Sequence, residues 1–523
     1  MVGPASATGV AGALVMSWVA LSPSLLPRGE VATAAAIGIS MAFGYLVGSL
    51  AQRLWVRVSR AVGLTITIRR GWARRLRWGW LGLLTAISID MLITNARRQP
   101  RLEALVGLPP TPYVDQLVGV LLGVALFGVF LTLGFALASF WRWTTRRLTP
   151  FIAGWVAPLA AAVMIGLAVT LIAQGLIIRP LAEALYQSAA SSNAIPWQNR
   201  TAPTESTRSG GPGSLEPWDT LGAAGQAVVS DGPRAADITK LTGQPAKEPI
   251  RVYAGLRPGR DVAATAAAVV AELDRTDAWS RAYLMVATSV GNGWVDEWSL
   301  ESVEYLTNGD CASASMQYSY LKSGIAYVLD HDKPNEAGRA LWTAVRNRWL
   351  QLPPNHRPKL LANGESLGSS GGQAAFDSPQ QMIDQVDGAV WVGTTHFTPL
   401  WRALIDERRQ GSPEIAPVID NGRVIRFAAG PADLTHDYYG GPYDPWGATR
   451  IVYLQHASDP IVWWSPDLLW REPDWARERV GRDVSGAMFW APWVSFWQIA
   501  IDMTSAVAVP AGHGHNYEQE LVP

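Results

Sequence analysis

Residues 358–372 read Pro-Lys-Leu-Leu-Ala-Asn-Gly-Glu-Ser-Leu-Gly-Ser-Ser-Gly-Gly. A short apolar run leads into the pattern Gly-x-Ser-x-Gly, formed by Gly364, Ser366 and Gly368, and small residues follow it. This order predicts a strand, a strained turn with the serine at its corner, and a helix that begins at Leu367 or Gly368. The glycines are needed because a Cβ at either place would collide with the neighbouring strand and helix. The pattern makes Ser366 a candidate nucleophile.

The composition divides the chain into two unlike halves. The 523 residues carry no net charge, but residues 1–186 hold 16 Arg against 5 Asp or Glu, a net of +11, so the remainder carries −11. This length predicts two or three domains. The arginines flank apolar segments, which indicates a membrane partner, and we expect no nucleic-acid partner.

The residues that bind metals and phosphates are sparse. The single cysteine, Cys311, excludes an intrachain disulfide and a cysteine-based zinc site. The sequence shows no spaced cluster of His, Asp and Glu and no phosphate-binding Gly-x-x-x-x-Gly-Lys loop. We therefore expect neither a metal nor a cofactor.

Five stretches of the first half are apolar enough, at roughly 20 residues each, to cross a bilayer. They run near 8–26, 31–51, 78–95, 115–139 and 151–178. We predict an all-α transmembrane bundle of about five helices over residues 1–186. Asp90, late in the third stretch, keeps a transport role open, because ionisable residues inside membrane segments are functional candidates.

The loop between the second and third stretches carries many arginines and no acidic residue. It contains Arg53, Arg57, Arg60, Arg69, Arg70, Arg74, Arg75 and Arg77. Because positively charged loops stay in the cytoplasm, we expect the N-terminus inside the cell. Five spans then deliver everything after residue 186 to the outer face of the cell membrane. The arginines that follow the fourth stretch agree with this orientation, whereas Arg97, Arg98 and Arg101 do not.

Residues 187–249 are rich in Ser, Thr, Gly, Pro and Ala. This composition predicts a linker whose first part is mobile, because it has too few apolar residues to bury a core. From Pro217 onward apolar residues are more frequent, and we expect this second part to pack on the edge of the domain that follows.

After residue 250, short apolar or β-branched runs alternate with helical patterns, which is typical of a mostly parallel, doubly wound sheet with helices on both faces. We predict strands near 250–256, 282–288, 315–320, 358–363, 388–393, 450–455 and 505–510, and helices at 261–275, 335–350, 368–376 and 398–409. Ser366 lies in the middle of this series, as the central strand of such a sheet requires.

An acid and a base follow Ser366 in the order this type of site needs. Asp459 comes just after the strand predicted at 450–455, and His513 and His515 come after the last predicted strand. Asp459 would orient the histidine, and the histidine would take the proton of Ser366. The choice of base stays open, although His515 is favoured because its His-x-Tyr-Glu run resembles the segment after the catalytic base of some esterases.

A negatively charged tetrahedral intermediate would need two N–H donors. Leu367 is expected to supply one. Ser289 or Val290, in the glycine-containing loop after the second predicted strand, would supply the other, unless that loop is an ordinary turn. Trp294 in the same loop is a candidate for the substrate pocket.

Three further pocket candidates are His396, which follows the strand predicted at 388–393, and the adjacent pair Trp463 and Trp464. The interval from Asp459 to His515 is long and rich in tryptophan. Two interpretations stay open for it. It is either a lid that meets the membrane or grips an acyl chain, or a helix packed on the sheet with a tryptophan-rich core.

Taken together, these motifs resemble the α/β-hydrolase superfamily. The arrangement is similar, over nearly the whole chain, to the actinobacterial family of multi-span membrane-anchored α/β-hydrolases. The features that carry the resemblance are the apolar spans, Pro217-Trp218, the Gly-Trp-Val-Asp run ending at Asp296, Gln317-Tyr-Ser-Tyr-Leu, the Ser366 turn and the terminal Gly-His-Gly-His. The resemblance implies a serine hydrolase and does not imply a substrate.

We therefore expect a transmembrane region at 1–186, a partly disordered linker at 187–249 and an α/β-hydrolase catalytic domain at 250–523. The leading hypothesis is an extracytoplasmic serine esterase or lipase that cleaves acyl esters or lipid-like substrates through a Ser-Asp-His triad. The alternatives are an acyltransferase to a cell-envelope acceptor, and a transport or scaffold protein with an inactive hydrolase domain. The sequence leaves the oligomeric state open.

Overall fold

A computed structural model describes residues 6–64, 70–197, 200–330, 332–478 and 481–521. Arg69, one of the arginines used to predict the orientation, lies outside these residues. The chain forms two compact units. The helical unit consists of Met1–Arg179 and Trp464–Pro510, and the sheet unit consists of Pro180–Trp463 and Ala511–Pro523.

The helices, in chain order, are α1 Ala7–Ala20, α2 Glu30–Ala61, α3 Arg70–Leu105, α4 Tyr113–Leu148, α5 Ala157–Ile172, α6 Arg179–Asn193, α7 Gly222–Ser230, α8 Ala235–Thr242, α9 Val262–Arg275, α10 Glu297–Leu306, α11 Ser323–Leu329, α12 Lys333–Leu350, α13 Leu367–Gln373, α14 Pro379–Gln385, α15 Pro399–Asp406, α16 Pro460–Trp463, α17 Asp474–Arg477, α18 Val494–Asp502 and α19 Glu518–Leu521. The strands are β1 Ile250–Ala254, β2 Tyr283–Thr288, β3 Cys311–Met316, β4 Lys359–Glu365, β5 Gly388–Val392, β6 Ile425–Ala428 and β7 Arg450–Leu454.

Within the described residues, four helices are long and apolar enough to be compatible with membrane insertion. They are Glu30–Ala61, Arg74–Leu105, Tyr113–Leu148 and Ala157–Asn193, the last of which joins α5 to α6 through a π-helical turn. The first of the five predicted spans is different, because α1 has only 14 residues. At 1.5 Å per residue it covers about 21 Å, less than the roughly 30 Å of a hydrocarbon core.

Small residues let α1 lie directly against α2. A Cβ built at Gly12 would stand 2.3 Å from the carbonyl oxygen of Gly44, and one at Gly48 would stand 2.2 Å from that of Thr8. Glycine is therefore required where these two backbones meet, as is common where apolar helices associate.

The tryptophan-rich segment Trp464–Pro510 packs in the helical unit. The Gln498 side chain donates hydrogen bonds to the carbonyl oxygens of Ala20 and Ser22, at 3.1 and 3.2 Å. The ring of Trp493 stacks on Phe43 with 4.4 Å between centroids. The segment thus packs against the N-terminal helices of its own unit. The strand predicted at 505–510 is wrong, because these residues follow a 3₁₀ turn at Met503–Ser505 as turns and irregular chain.

The sheet unit is built on seven parallel strands in the order β1-β3-β2-β4-β5-β7-β6. This confirms the predicted α/β-hydrolase type of sheet with β4 at its centre. β3 begins four residues before its predicted start, and the short edge strand β6 was not predicted. Both β1 and β3 are buried along their full length, as expected for strands covered on both faces.

Residues 200–249 belong to the sheet unit. The mobility that we expected for the first part of the linker stays a prediction. The buried guanidinium group of Arg208 donates hydrogen bonds to three carbonyl oxygens, those of Val229, Asp231 and Pro233. Helix α7 is almost entirely buried and packs beside β1. The expected packing of the second part is thus observed.

Candidate active site

Ser366 occupies a strained turn between β4 and α13. Its backbone has φ 54° and ψ −120°, a conformation that side-chain-bearing residues rarely adopt, and its N–H donates to the carbonyl oxygen of Val392 at 2.9 Å. The turn is possible because the flanking residues have no Cβ. One at Gly364 would stand 2.4 Å from the carbonyl oxygen of Gly368, and one at Gly368 would stand 2.3 Å from that of Thr288.

Asp459 and His515 lie together in the same unit. Asp459, which follows β7, accepts a hydrogen bond of 2.6 Å on Oδ2 from Nδ1 of His515. Asp459 is fully buried and His515 is 5% exposed. A second bond, from the N–H of Ile461 to Oδ1 at 2.8 Å, fixes the rotation of the carboxylate. The imidazole therefore has one defined orientation, with Nδ1 directed at the acid.

The His515 ring lies against the end of β5, close to the Ser366 turn. A Cβ at Gly393 would stand 2.4 Å from Cε1 and 2.8 Å from Nδ1 of His515, so the Nδ1–Cε1 edge packs on this glycine. Gly393 follows Val392, whose carbonyl oxygen receives the Ser366 N–H. The buried Nε2 of His515 has no hydrogen-bond partner among the described residues.

His513 differs from His515 in position and exposure. It is half-buried, and its backbone pairs with that of Asn516 in a tight turn. Gly514, between the two histidines, is anchored by a bond of 2.8 Å from its N–H to Oγ of Ser458, and its carbonyl oxygen lies 2.8 Å from Nδ1 of His456. This anchoring places His515, not His513, on Asp459.

Burial of the His515 ring disfavours its charged form, but the charge and hydrogen bond of Asp459, and the nearby Glu365, outweigh this effect and raise the pKa of His515. The acid thus stabilises the imidazolium that forms when the ring takes a proton.

Tyr517 is a partner of Asp459 that our sequence analysis did not identify. Its hydroxyl donates to Oδ2 of Asp459 at 2.8 Å, and its ring stacks on His456 with 4.2 Å between centroids. The His-x-Tyr spacing after His515 was the available signal, because residues i and i+2 of an extended segment point to the same side.

Two acidic residues near the triad candidates were also missed. Glu365 immediately precedes Ser366, and its buried Oε2 has no hydrogen-bond partner among the described residues. Burial and the negative charge of Asp296 raise the pKa of Glu365 to about 8, and burial raises the pKa of Asp296 to about 6. Both shifts favour the neutral forms of these carboxyl groups relative to carboxyl groups in water. An acidic residue inside the Gly-x-Ser-x-Gly pattern was the only sequence signal for Glu365.

The loop after β2 approaches the serine turn. Thr288 and Ser289 lie against Gly368, since a Cβ there would stand 3.1 Å from the carbonyl carbon of Ser289. The N–H of Leu367 belongs to the first turn of α13, where backbone donors have no intrahelical partner. Val290 is not available as a second donor, because its N–H donates to the carbonyl oxygen of Trp294 at 2.9 Å. Of the two residues predicted as the second N–H donor to the oxyanion, Ser289 is therefore the remaining candidate.

The four pocket candidates fall in different places. Trp294 is half-buried in the loop after β2. His396 lies in the loop after β5, where its N–H donates to the carbonyl oxygen of Val462 at 2.9 Å and its ring faces Trp401.

The two tryptophans after Asp459 differ in their surroundings. Trp463 is a core residue, 1% exposed, whose Nε1 donates to the carbonyl oxygen of His456 at 2.9 Å. Trp464 belongs to the helical unit and packs on Phe496. A role for either of them in the substrate pocket stays a prediction.

Within the described residues, no three His, Cys, Asp or Glu side chains are grouped closely enough to hold a metal ion.

Two family models match the chain. Residues 250–523 match the model of an alpha/beta-hydrolase family, and residues 21–233 match the model of an alpha/beta-hydrolase family N-terminus. The first match covers just over half of the chain and contains Ser366, Asp459 and His515. No curated protein and no solved structure matched the chain.

Proposed function

The chain belongs to the α/β-hydrolase family, and from this premise we propose that it is a membrane-anchored serine hydrolase that cleaves acyl esters through Ser366, Asp459 and His515. The observation that carries the proposal is the buried Asp459–His515 pair, because its imidazole packs on Gly393, next to the residue whose carbonyl oxygen receives the Ser366 N–H. The three residues also have the chain order expected for this fold.

The first half of the reaction forms an acyl-enzyme. Nε2 of His515 takes the hydroxyl proton of Ser366 as Oγ attacks the ester carbonyl carbon. The tetrahedral intermediate collapses, the carbon–oxygen bond to the alcohol breaks, and the imidazolium gives its proton to the departing alcohol.

The second half returns the enzyme to its starting state. Water gives a proton to His515 and attacks the acyl carbon, and the bond to Ser366 breaks as Oγ recovers that proton. In the alternative acyltransferase, a hydroxyl group of an acceptor replaces the water in this step.

Asp459 keeps Nδ1 protonated, so that Nε2 is the basic nitrogen, and its charge stabilises the imidazolium. The N–H of Leu367 and that of Ser289 are the proposed donors to the oxyanion. Tyr517 holds the acid from the other side and acts as a positioning residue.

The substrate class follows from the anchor. Four helices compatible with membrane insertion precede the catalytic residues, so we propose acyl esters found at or near the bilayer as substrates. We also propose that the N-terminus is cytoplasmic and the sheet unit extracytoplasmic, on the basis of the arginines in the last turns of α2 and the first turns of α3.

The proposal is tested with the full chain in detergent, by hydrolysis of p-nitrophenyl esters of increasing acyl length. We expect Ser366→Ala and His515→Ala to lower kcat/KM by at least 10³-fold, within the range seen when triad members are removed. His513→Ala is the matched control, because it removes a neighbouring histidine while the bond from Nδ1 of His515 to Asp459 stays in place, and it should change kcat/KM by less than threefold. Equal losses for the two histidine variants would contradict the assignment. In the same assay, continued release of p-nitrophenol only after a hydroxyl acceptor is added would favour the acyltransferase.

A further inference from the structure

A cleft of about 820 Å³ opens between α2 and α4 inside the helical unit. The two helices run side by side in the same direction, since the start of α2 at Glu30 lies against Gly119 and the next turns, at Ile37, lie against Gly123. The cleft occupies the later part of both helices, from Ala42 to Arg60 on one side and from Phe127 to Arg142 on the other.

The early part of the pair is closed because small residues bring the backbones together. A Cβ on Gly119 would stand 2.9 Å from the carbonyl oxygen of Glu30, and one on Gly123 would stand 2.8 Å from Cβ of Ile37. This Gly-x-x-x-Gly spacing puts both glycines on one helix face and allows close approach.

The later part is open because large aromatic side chains hold the helices apart. The ring of Tyr45 on α2 lies 6.0 Å from that of Phe127 and 6.2 Å from that of Phe135 on α4. Phe130 and Leu131 extend the same apolar wall of the cleft. The result is an apolar slot between two helices of membrane-spanning length.

One end of this slot is lined by arginines. Arg53, Arg57 and Arg60 are spaced along a single face of α2, and Arg142 faces the cleft from α4. Arg142 also donates to Oγ of Ser139 at 2.9 Å, which holds it near the cleft. Among the described residues that line the cleft there is no Asp or Glu. The cleft therefore combines four positive charges at one end with an apolar wall along its length.

We propose that this cleft binds one anionic phospholipid, with its phosphate on the arginines and an acyl chain along the aromatic wall. Guanidinium groups bind phosphate oxygens through paired, charge-assisted hydrogen bonds, and four of them at one end of the cleft favour an anion there. The apolar wall adds acyl-chain contacts that a free phosphate could not make. Basic pockets between membrane helices are suited to anionic head groups for the same reasons.

Charge alone does not make this site, because Arg97, Arg98 and Arg101 near the end of α3 carry similar charge and do not line the cleft. They supply a matched control. Replacing them by Gln removes as much positive charge as replacing Arg53, Arg57 and Arg142, but leaves the cleft unchanged.

The test is native mass spectrometry of the full chain with equimolar phosphatidylglycerol and phosphatidylcholine of identical acyl chains. We expect the wild type to retain one phosphatidylglycerol with at least tenfold preference, and the α3 control to keep that preference. The Arg53→Gln, Arg57→Gln and Arg142→Gln triple variant should lose it to within twofold. Absence of preference in the wild type, or an equal loss in the α3 control, would overturn the proposal.

Two further measurements keep the proposal falsifiable if the triple variant fails to fold. Phe130→Ala, which changes no charge, should lower retention of phosphatidylglycerol about threefold by removing an acyl-chain contact. Inorganic phosphate at the concentration of the lipid should not displace it. Displacement by inorganic phosphate, or unchanged retention in Phe130→Ala, would mean a simple anion site and would overturn the lipid assignment.

Discussion

Gly368→Ala is expected to damage the active site more than it damages the fold. The new Cβ would stand 2.3 Å from the carbonyl oxygen of Thr288, about 0.7 Å short of the 3.0 Å that such contacts respect. The new Cβ and this carbonyl oxygen are both attached directly to the backbone, so α13 or the end of β2 must move by roughly that distance. Overpacking of this kind costs about 1–3 kcal/mol. The same shift displaces the N–H of Leu367 from the proposed oxyanion.

The loss of activity should exceed the loss of stability, since a misplacement of about 1 Å in a catalytic group can lower a rate by about 10²-fold. The assays are the rate of fluorophosphonate labelling and the melting temperature in detergent. Gly324→Ala is the matched control, because a Cβ at Gly324 in α11 meets nothing within 4 Å. It should leave labelling unchanged and raise stability slightly, by about 0.5–1 kcal/mol. If Gly368→Ala labels as fast as Gly324→Ala, the close packing of the turn does not position Ser366.

Three further predictions concern charge and hydrogen bonding. His515 must be neutral to act as a base, and its pKa is raised, so kcat/KM should rise with pH through a value above 6.5. Above about pH 8, kcat/KM should fall again, because Glu365 then ionises beside the oxyanion. Glu365→Gln should remove the alkaline fall, and the same fall in both proteins would refute a role for Glu365. Tyr517→Phe removes a hydrogen bond to the charged Asp459, and such a bond is worth about 1.5–3 kcal/mol. The variant should lower kcat about tenfold with little change in KM. An unchanged kcat would contradict the positioning role of Tyr517. Asp502→Asn should destabilise the helical unit by about 3 kcal/mol, because it leaves the buried Arg28 without its counter-charge. The control Asp467→Asn, an exposed carboxylate of the same segment, should melt like the wild type, and equal melting of the two variants would argue against the Arg28 pairing.

The serine turn could be predicted because its causes are local. Gly364 and Gly368 are required by contacts within a few residues, and the strand before and helix after them follow from nearby patterns. Asp459 could be placed because it follows a clear apolar strand. The structure favours His515 over His513 through the anchoring of Gly514 to Ser458, a contact between distant parts of the chain that no local pattern reports.

The placement of Trp464–Pro510 could not be predicted, because the contacts that determine it join residues 450 to 478 positions apart in sequence. Gln498 bonds to the carbonyl oxygen of Ala20 across a separation of 478 residues, and nothing near Gln498 indicates this partner. Tryptophan suits a core, a lid or a helix interface equally well. The edge strand β6 was missed for another reason, since four residues in a segment rich in Gly and Pro give too short a pattern.

The most direct test of the proposed mechanism is to locate a covalent adduct. The full chain in membranes would be treated with a fluorophosphonate probe and digested, and the modified residue would be identified by peptide mass spectrometry in the wild type and in Ser366→Ala. The mechanism predicts a single adduct on Ser366, absent from Ser366→Ala and formed at a strongly reduced rate in His515→Ala. An adduct on another serine, or labelling that persists in Ser366→Ala, would contradict it.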